Sequence, residues 1–266
     1  MTIRRRNYGD NHAYYDVTTD PDTDEDVEVK IPGVTTLLSN GIPKSGLTNW
    51  AAEQAAQYAI TNWAELGELP LLKRAKEIQY AWKGERDRAA NRGRKIHQLA
   101  EQLIAGEKVD IPDGLEGHVE SCVKFLDEFD VVEVISEATC VNRTHGYAGT
   151  LDLVCDMLGK RWLLDWKTGR NVYAESTLQL AAYAHAEHYL DGRVEKPMTE
   201  LGIQAGGIVH LRADGYDLYP ANIGELPYKV FRHVAYLAGW VAWDKVNGTR
   251  LDAFLGRAMQ PTAVAS

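Results

Sequence analysis

The switch from helix-like to β-prone sequence near residue 131 constrains the fold of this chain most. Before it, residues 47–66, 73–104 and 116–129 have the composition and apolar spacing of helices. After it, the β-prone segments 131–141, 147–157 and 161–167 follow one another, and a short turn at Gly159 joins the last two. A helix over 175–190, strands over 203–211 and 216–219, and a helix over 225–246 are predicted next. This order predicts an α/β (α+β) fold with a small mixed central β-sheet flanked by helices.

The N-terminal part is predicted to be a hairpin over residues 12–38 followed by helices. With 266 residues, 45% hydrophobic and 25% charged, the chain matches an ordinary globular protein of one large or two small domains. The three cysteines form no C-x-x-C pair, which favours a reducing compartment. The N-terminus has basic residues but no apolar segment behind them, and no apolar run approaches about 20 residues. We therefore expect a cytoplasmic protein with no membrane partner.

The charge is unevenly distributed. The whole chain carries a formal charge of −9, which excludes a uniformly basic surface. Residues 73–95 nevertheless hold nine basic and only three acidic side chains, and Tyr80 and Trp82 lie among them. One interpretation is a solvated helix face. The other is a nucleic-acid surface, in which cations bind phosphates and rings stack on bases.

Two carboxylates and one ammonium are predicted to meet on neighbouring strands. Side chains alternate along a strand, so Asp165 and Lys167 share one face and Trp166 points to the other. Asp152 lies one strand earlier, across the turn at Gly159. A divalent cation would compensate the like charges, and such a site can activate water for attack on a phosphodiester. Lys167 could orient that water or stabilise charge on the phosphate. For Asp165 and Lys167 alone, a simple salt bridge is the alternative.

Two further polar residues stand out on predicted helices. His97 lies beside the apolar stripe of its helix, one turn from Glu101. Gln179 lies on the apolar face of the helix that follows Lys167, among Ala182 and Tyr183. A buried amide there requires a polar partner.

Four motifs between residues 92 and 183 resemble, in order and spacing, the PD-(D/E)xK nuclease superfamily. Within it the chain resembles the RecB-like branch, which includes stand-alone phage and CRISPR-associated exonucleases. The motifs are Arg92-Gly93-Arg94-Lys95-Ile96-His97, Gly149-Thr150-Leu151-Asp152, Asp165-Trp166-Lys167-Thr168-Gly169 and Gln179-x-x-x-Tyr183. The resemblance implies a restriction-endonuclease-like core.

The resemblance also implies roles for individual residues. Asp152 and Asp165 would be metal ligands, with the Trp166 carbonyl and His97 as further ligands, and Lys167 would be the catalytic lysine. Gln179 and Tyr183 would support the site or contact the DNA backbone, and Glu137 would support it as an acidic residue ahead of the metal strand. The basic residues assigned to DNA are Lys83, Arg86, Arg88, Arg92 and Arg94.

The expected cofactor is Mg²⁺ or Mn²⁺, since an imidazole ligand favours manganese. Many CRISPR-associated members and some helicase-linked members hold an iron–sulfur cluster on four cysteines, whereas this chain has three cysteines and none after Cys155, so no Fe–S cluster is expected. No phosphate loop is present, so no ATP is expected.

These observations predict a metal-dependent DNA exonuclease of phage type that serves recombination, replication or end processing. Its partners would be linear DNA ends, single- or double-stranded, and a recombination or single-strand-annealing protein, in the cytoplasm of the host cell if phage-encoded. The alternatives are a structure-specific or restriction-like endonuclease, or a non-catalytic module that binds DNA ends. One compact domain is expected, with residues 1–90 packed on a nuclease core at 91–256 and a flexible tail at 257–266.

Overall fold

The fold has two sheets, one at the N-terminus and one at the centre. A computed structural model describes residues 2–9, 11–242 and 249–254. The N-terminal sheet is antiparallel, in the order β1–β2–β3. Its strands are β1 (Thr2–Tyr8), β2 (Asn11–Thr19) and β3 (Asp26–Ile31).

Helices occupy most of the next hundred residues. They are α1 (Val34–Gly41), α2 (Ser45–Thr61), α3 (Trp63–Gly67), α4 (Leu71–Ile104) and α5 (Glu116–Glu128). The helix predicted over 73–104 is observed as α4, a continuous helix of 34 residues that begins two residues earlier. No helix within the described ranges is both long and apolar enough to cross a bilayer.

The central sheet has seven strands in the order β10–β9–β6–β5–β4–β7–β8, and only β6 and β9 are parallel. The strands are β4 (Val132–Asn142), β5 (Tyr147–Met157), β6 (Lys160–Lys167), β7 (His188–Asp191), β8 (Val194–Pro197), β9 (Ala205–Arg212) and β10 (Gly215–Ala221). Helix α6 (Glu175–Ala184) connects β6 to β7, and α7 (Glu225–Val241) follows β10. The predicted mixed sheet flanked by helices is confirmed.

Each face of the central sheet packs against its own helices. One cluster joins α1, α6 and α7 to the sheet, with Phe231 and Leu180 fully buried. The other joins α4 and α5, and there the ring of Phe125 meets Trp166 edge-on at 5.7 Å between centroids. The sheet is therefore the middle layer of three, and residues at its strand ends can be reached by helices from both sides.

The N-terminal sheet is attached to the central sheet by both apolar and ionic contacts. Ile3, Tyr14 and Ile31 are buried in a cluster with two residues of the central sheet. Arg143, just after β4, donates to Asp16 at 2.9 Å and to Glu195 at 2.8 Å, so one guanidinium bridges the two sheets. This anchor fixes the position of β1 and β2 relative to β4 and β5.

Several predicted elements differ from the structure. Strand β1 was not predicted, and the hairpin predicted over residues 12–38 ends at Ile31, after which α1 begins. The predicted helix over 175–190 was wrong beyond Ala184, because residues 188–191 pair with β4. Strand β7 pairs with the distant β4 as well as with β8, and local periodicity does not reveal such a partner; β1 is the edge strand of its sheet and pairs only with β2.

The predicted domain division stays a prediction. Its boundary at residue 90 lies inside α4. The tail at 257–266 and residues 243–246 of the last predicted helix lie outside the described residues.

Candidate metal centre

Three carboxylates form a row where strands β5 and β6 separate. The two strands pair from Met157↔Lys160 to Leu153↔Leu164, and Asp152 and Asp165 are the next residues on each strand. On the other side of β5, Ser136 pairs with Leu153 and Ala138 with Leu151, which places Glu137 opposite Asp152. The row therefore runs Glu137–Asp152–Asp165 across three adjacent strands.

The strands are irregular at this row. Glu137 has a φ of +49°, a left-handed conformation that costs a non-glycine residue about 1–2 kcal/mol. Leu151 and Leu153 lie two residues apart but pack in different core clusters, so the alternation of side chains is interrupted between them. Such interruptions are common where a strand re-aims a side chain. Sequence alternation alone does not predict this position for Glu137.

His97 joins the row from the helix on one side of the sheet. Its neighbours Ile96 and Leu99 are buried against the sheet and hold α4 in place. The His97 Nδ1 atom lies 3.6 Å from Asp152 Oδ2. Ligand atoms of His97, Glu137 and Asp152 all lie within 4.8 Å of one another, so these three residues could hold a metal ion. Glu137 was predicted to support the site, and its geometry makes it a candidate ligand as well.

Asp165 and Lys167 belong to a network that α6 completes. Asp165 is 1% exposed, and its carboxylate forms an ion pair with the Lys167 ammonium. Gln179 Nε2 donates to Asp165 Oδ1 at 2.9 Å, and Lys167 Nζ donates to Gln179 Oε1 at 3.4 Å. Gln179 is also 3.2 Å from the Tyr183 hydroxyl. Gln179 thus has the polar partners that its place on an apolar face required.

Tyr183 is buried beneath this network and packs against Gly149. A Cβ atom on Gly149 would lie 2.3 Å from the Tyr183 ring, so the first residue of the Gly-Thr-x-Asp motif must be small. At 3% exposure Tyr183 supports Gln179 from below. The suggestion that Tyr183 contacts the DNA backbone is at odds with this burial.

Trp166 lies on the opposite face from Asp165 and Lys167, as strand alternation predicts. Its ring is buried in the cluster around α4 and α5. Its backbone N–H, freed where β5 and β6 separate, donates to Asp152 Oδ2 at 2.8 Å. This bond fixes the Asp152 carboxylate in the row. The role of the Trp166 carbonyl as a ligand stays a prediction.

The electrostatics of the row reflect several charges sharing a confined space. Burial, and then the charge of Asp152, raise the pKa of Glu137 to about 7. Burial and the charge of Asp152 raise the pKa of Asp165 to about 6, although the charge of Lys167 acts to lower it. Burial also disfavours charge on Asp152, but His97, Lys167 and the Trp166 N–H outweigh it and lower the Asp152 pKa. A divalent cation would relieve the repulsion that raises the first two values.

Glu137 gives the metal-free protein a defined pH dependence. Because its folded pKa of about 7 exceeds the ordinary 4.5, its protonation stabilises the folded state; the contribution is complete below pH 4.5 and lost as pH rises through 7. We expect Tm in EDTA to fall by about 5–10 °C from this source between about pH 5 and pH 8. The raised pKa of Asp165 also lowers stability as pH rises, but over a lower pH range. Glu137→Gln should have a shallower slope in thermal unfolding, and an unchanged slope would contradict the assignment.

The predicted DNA-binding residues lie on α4, on the N-terminal side of His97. Lys83 Nζ is 4.0 Å from the centre of the Tyr80 ring, and the Arg86 guanidinium is 4.9 Å from that of Trp82. Arg88 forms an ion pair with Glu85. Arg92 and Arg94 are exposed within two turns of His97. The five cations therefore lie along one helix, two of them against aromatic rings, and the same helix carries His97 to the carboxylate row.

Two residues of the N-terminal sheet also reach the row, and sequence reasoning missed both. Arg5 lies 3.7 Å from Glu137, and the Tyr14 hydroxyl lies 2.9 Å from Thr150 Oγ1. Each pair joins residues more than 130 positions apart, so no local pattern indicates it. The only sequence signal is the basic run at residues 4–6.

No known family profile matches the chain. Over 148 residues it is 28% identical to mitochondrial genome maintenance exonuclease 1 of Mus musculus, and the match covers 50% of this chain and 40% of that protein. The match therefore spans about two fifths of the curated relative. Among solved structures, the crystal structure of SSO0001 aligns at 15% identity and a TM-score of 0.29, over 57% of this chain and 69% of that one. A TM-score this low does not establish a shared fold.

Proposed function

We propose that this chain is a divalent-metal-dependent deoxyribonuclease of the RecB-like branch of the PD-(D/E)xK superfamily, acting as an exonuclease on DNA ends. The observation that carries the proposal is the carboxylate row at the split between β5 and β6, with Lys167 paired to its innermost member. The partial similarity to a mouse exonuclease supports the same class of reaction.

The proposed ligands of Mg²⁺ or Mn²⁺ are Asp152, Asp165, His97 and the Trp166 carbonyl, with Glu137 as an additional carboxylate. The donor set fits, because hard divalent cations take carboxylate oxygens and an imidazole extends the choice to manganese. When bound, the cation supplies Lewis-acid stabilisation of phosphoryl charge and a more acidic water.

The remaining residues of the site orient the reacting groups and stabilise negative charge. Lys167 holds its ammonium beside Asp165, where it can position the attacking water and stabilise negative charge on the phosphate. Burial alone would lower its pKa, but Asp165 outweighs this and raises it, so the lysine stays protonated. Gln179 holds Asp165 and Lys167 in place, and the Tyr183 hydroxyl holds Gln179 in place.

DNA would reach the row along α4, over Lys83, Arg86, Arg88, Arg92 and Arg94. Phage recombination, replication or end processing in the host cytoplasm is the proposed setting, with a recombination or single-strand-annealing protein as partner. The N-terminal sheet and helices would pack with the core as one compact domain.

The test compares end-labelled linear DNA with covalently closed circular DNA, each in Mg²⁺, in Mn²⁺ and in EDTA. We expect loss of the linear DNA only, in both metals and not in EDTA, and the position of the label gives the polarity. Cutting of the circle would instead show an endonuclease. Binding without cutting in either metal would indicate a non-catalytic module.

A further inference from the structure

One face of the N-terminal sheet packs against the central sheet through Ile3, Tyr14 and Ile31. The same face extends beyond this buried cluster toward the carboxylate row. On this face Arg5 pairs across β1 and β2 with Tyr14, which pairs in turn with Ile31 on β3. Tyr14 and Ile31 are buried against the central sheet, and the Tyr14 hydroxyl contacts Thr150 beside the row. The next residue along β2 on this face, His12, is exposed and lies 3.0 Å from the same hydroxyl. Arg5 is thus held at the edge of the candidate metal centre.

Arg5 differs from the two arginines beside it. Arg4 and Arg6 point to the other face of β1, where both bind Glu28, at 2.7 Å and 2.5 Å. Within the described part of the chain, Arg5 has one long ion pair, 3.7 Å to Glu137, and no hydrogen bond. A guanidinium has five N–H donors, so most of those on Arg5 are free to bind a ligand.

We propose that Arg5 binds a backbone phosphate of the nucleic-acid strand beside the metal centre, and that Glu137 holds Arg5 in position when no strand is bound. The inference rests on the proposed nuclease function. A guanidinium suits phosphate because its paired donors match two phosphate oxygens. Three carboxylates repel a polyanion, and Arg5 supplies a cation at the edge formed by the N-terminal sheet.

Cation binding and strand binding are linked through Glu137. His97, Glu137 and Asp152 would hold a divalent cation, whose charge would offset that of the carboxylate that attracts Arg5. The Arg5 guanidinium would then be less tightly held by Glu137 and available to a phosphate. Arg5 consequently has opposite effects on the two ligands: it opposes the cation by charge repulsion and favours the strand.

The experiment measures both affinities in Arg5→Ala and in the matched control Arg6→Ala, which removes the same charge from the other face of the same strand. Binding of Mn²⁺ without DNA is followed by calorimetry. Binding of a fluorescent single-stranded oligonucleotide is followed by anisotropy in Ca²⁺, with a gel to check that it stays intact. For Arg5→Ala we expect DNA binding about fivefold weaker, a salt slope reduced by about 1 and Mn²⁺ binding about threefold tighter. Arg6→Ala should change each affinity less than about twofold.

Equal effects of the two substitutions would overturn the inference while leaving the nuclease proposal intact. If wild-type protein binds neither Mn²⁺ nor DNA, the nuclease proposal itself fails. Arg5→Lys is the second variant, because it keeps the charge and the fold but loses the paired donors. It should retain wild-type Mn²⁺ affinity and weaken DNA binding, and wild-type DNA affinity in Arg5→Lys would exclude paired phosphate recognition.

Discussion

Asp152→Asn is expected to abolish metal-dependent DNA cleavage, with a fall in rate of about a thousandfold or more. Asp152 is the central member of the row, between Glu137 and Asp165, and lies 3.6 Å from His97. The amide keeps the size of the side chain and an oxygen that can accept the Trp166 N–H, so the fold should survive. It removes the charge that a divalent cation needs.

Thermal unfolding with and without Mn²⁺ separates this effect from misfolding. A ligand that binds only the folded state raises Tm. We expect Mn²⁺ to raise the Tm of the wild type and not that of Asp152→Asn, while the two proteins differ little in EDTA. Asp156→Asn is the matched control, since Asp156 lies on the same strand, away from the row, in a half-exposed ion pair with Arg161. A wild-type rate in Asp152→Asn would refute the metal site.

Lys167→Ala is expected to slow single-turnover cleavage about 10³-fold with little change in DNA affinity. The ammonium is tied to Asp165 and Gln179, so it is already oriented before any substrate binds. The substitution leaves Asp165 buried with Gln179 as a remaining partner. Without the Lys167 charge, the pKa of the Asp165 carboxyl rises further, and protonation of Asp165 adds to the loss of rate.

Lys160→Ala provides the control for Lys167→Ala. Lys160 lies on the same strand at its other end, and its side chain is exposed. Rate and DNA affinity should stay close to wild type. If Lys167→Ala weakens DNA binding as much as it slows cleavage, Lys167 is a binding residue and its catalytic role is wrong.

The sequence alone determined the parts of this protein that depend on local geometry. Strand alternation places Asp165 and Lys167 on one face and Trp166 on the other, as the structure shows. Helical spacing required a partner for Gln179 and set His97 beside the buried stripe of α4. These features follow from the two fixed repeats of helix and strand, which the sequence expresses directly.

Only the tertiary structure decided which distant residues surround that core. Glu137 reaches the row through an irregular strand with a left-handed residue, and Arg5 reaches it from an edge strand that local pattern did not predict. The Arg5 contact depends on how the N-terminal sheet packs on the central sheet, more than 130 residues away in sequence, and the position of Glu137 depends on an irregularity between two adjacent strands, so local periodicity reveals neither. The residue types near Asp152 were therefore predictable, whereas the full set of charges that sets its electrostatics was not.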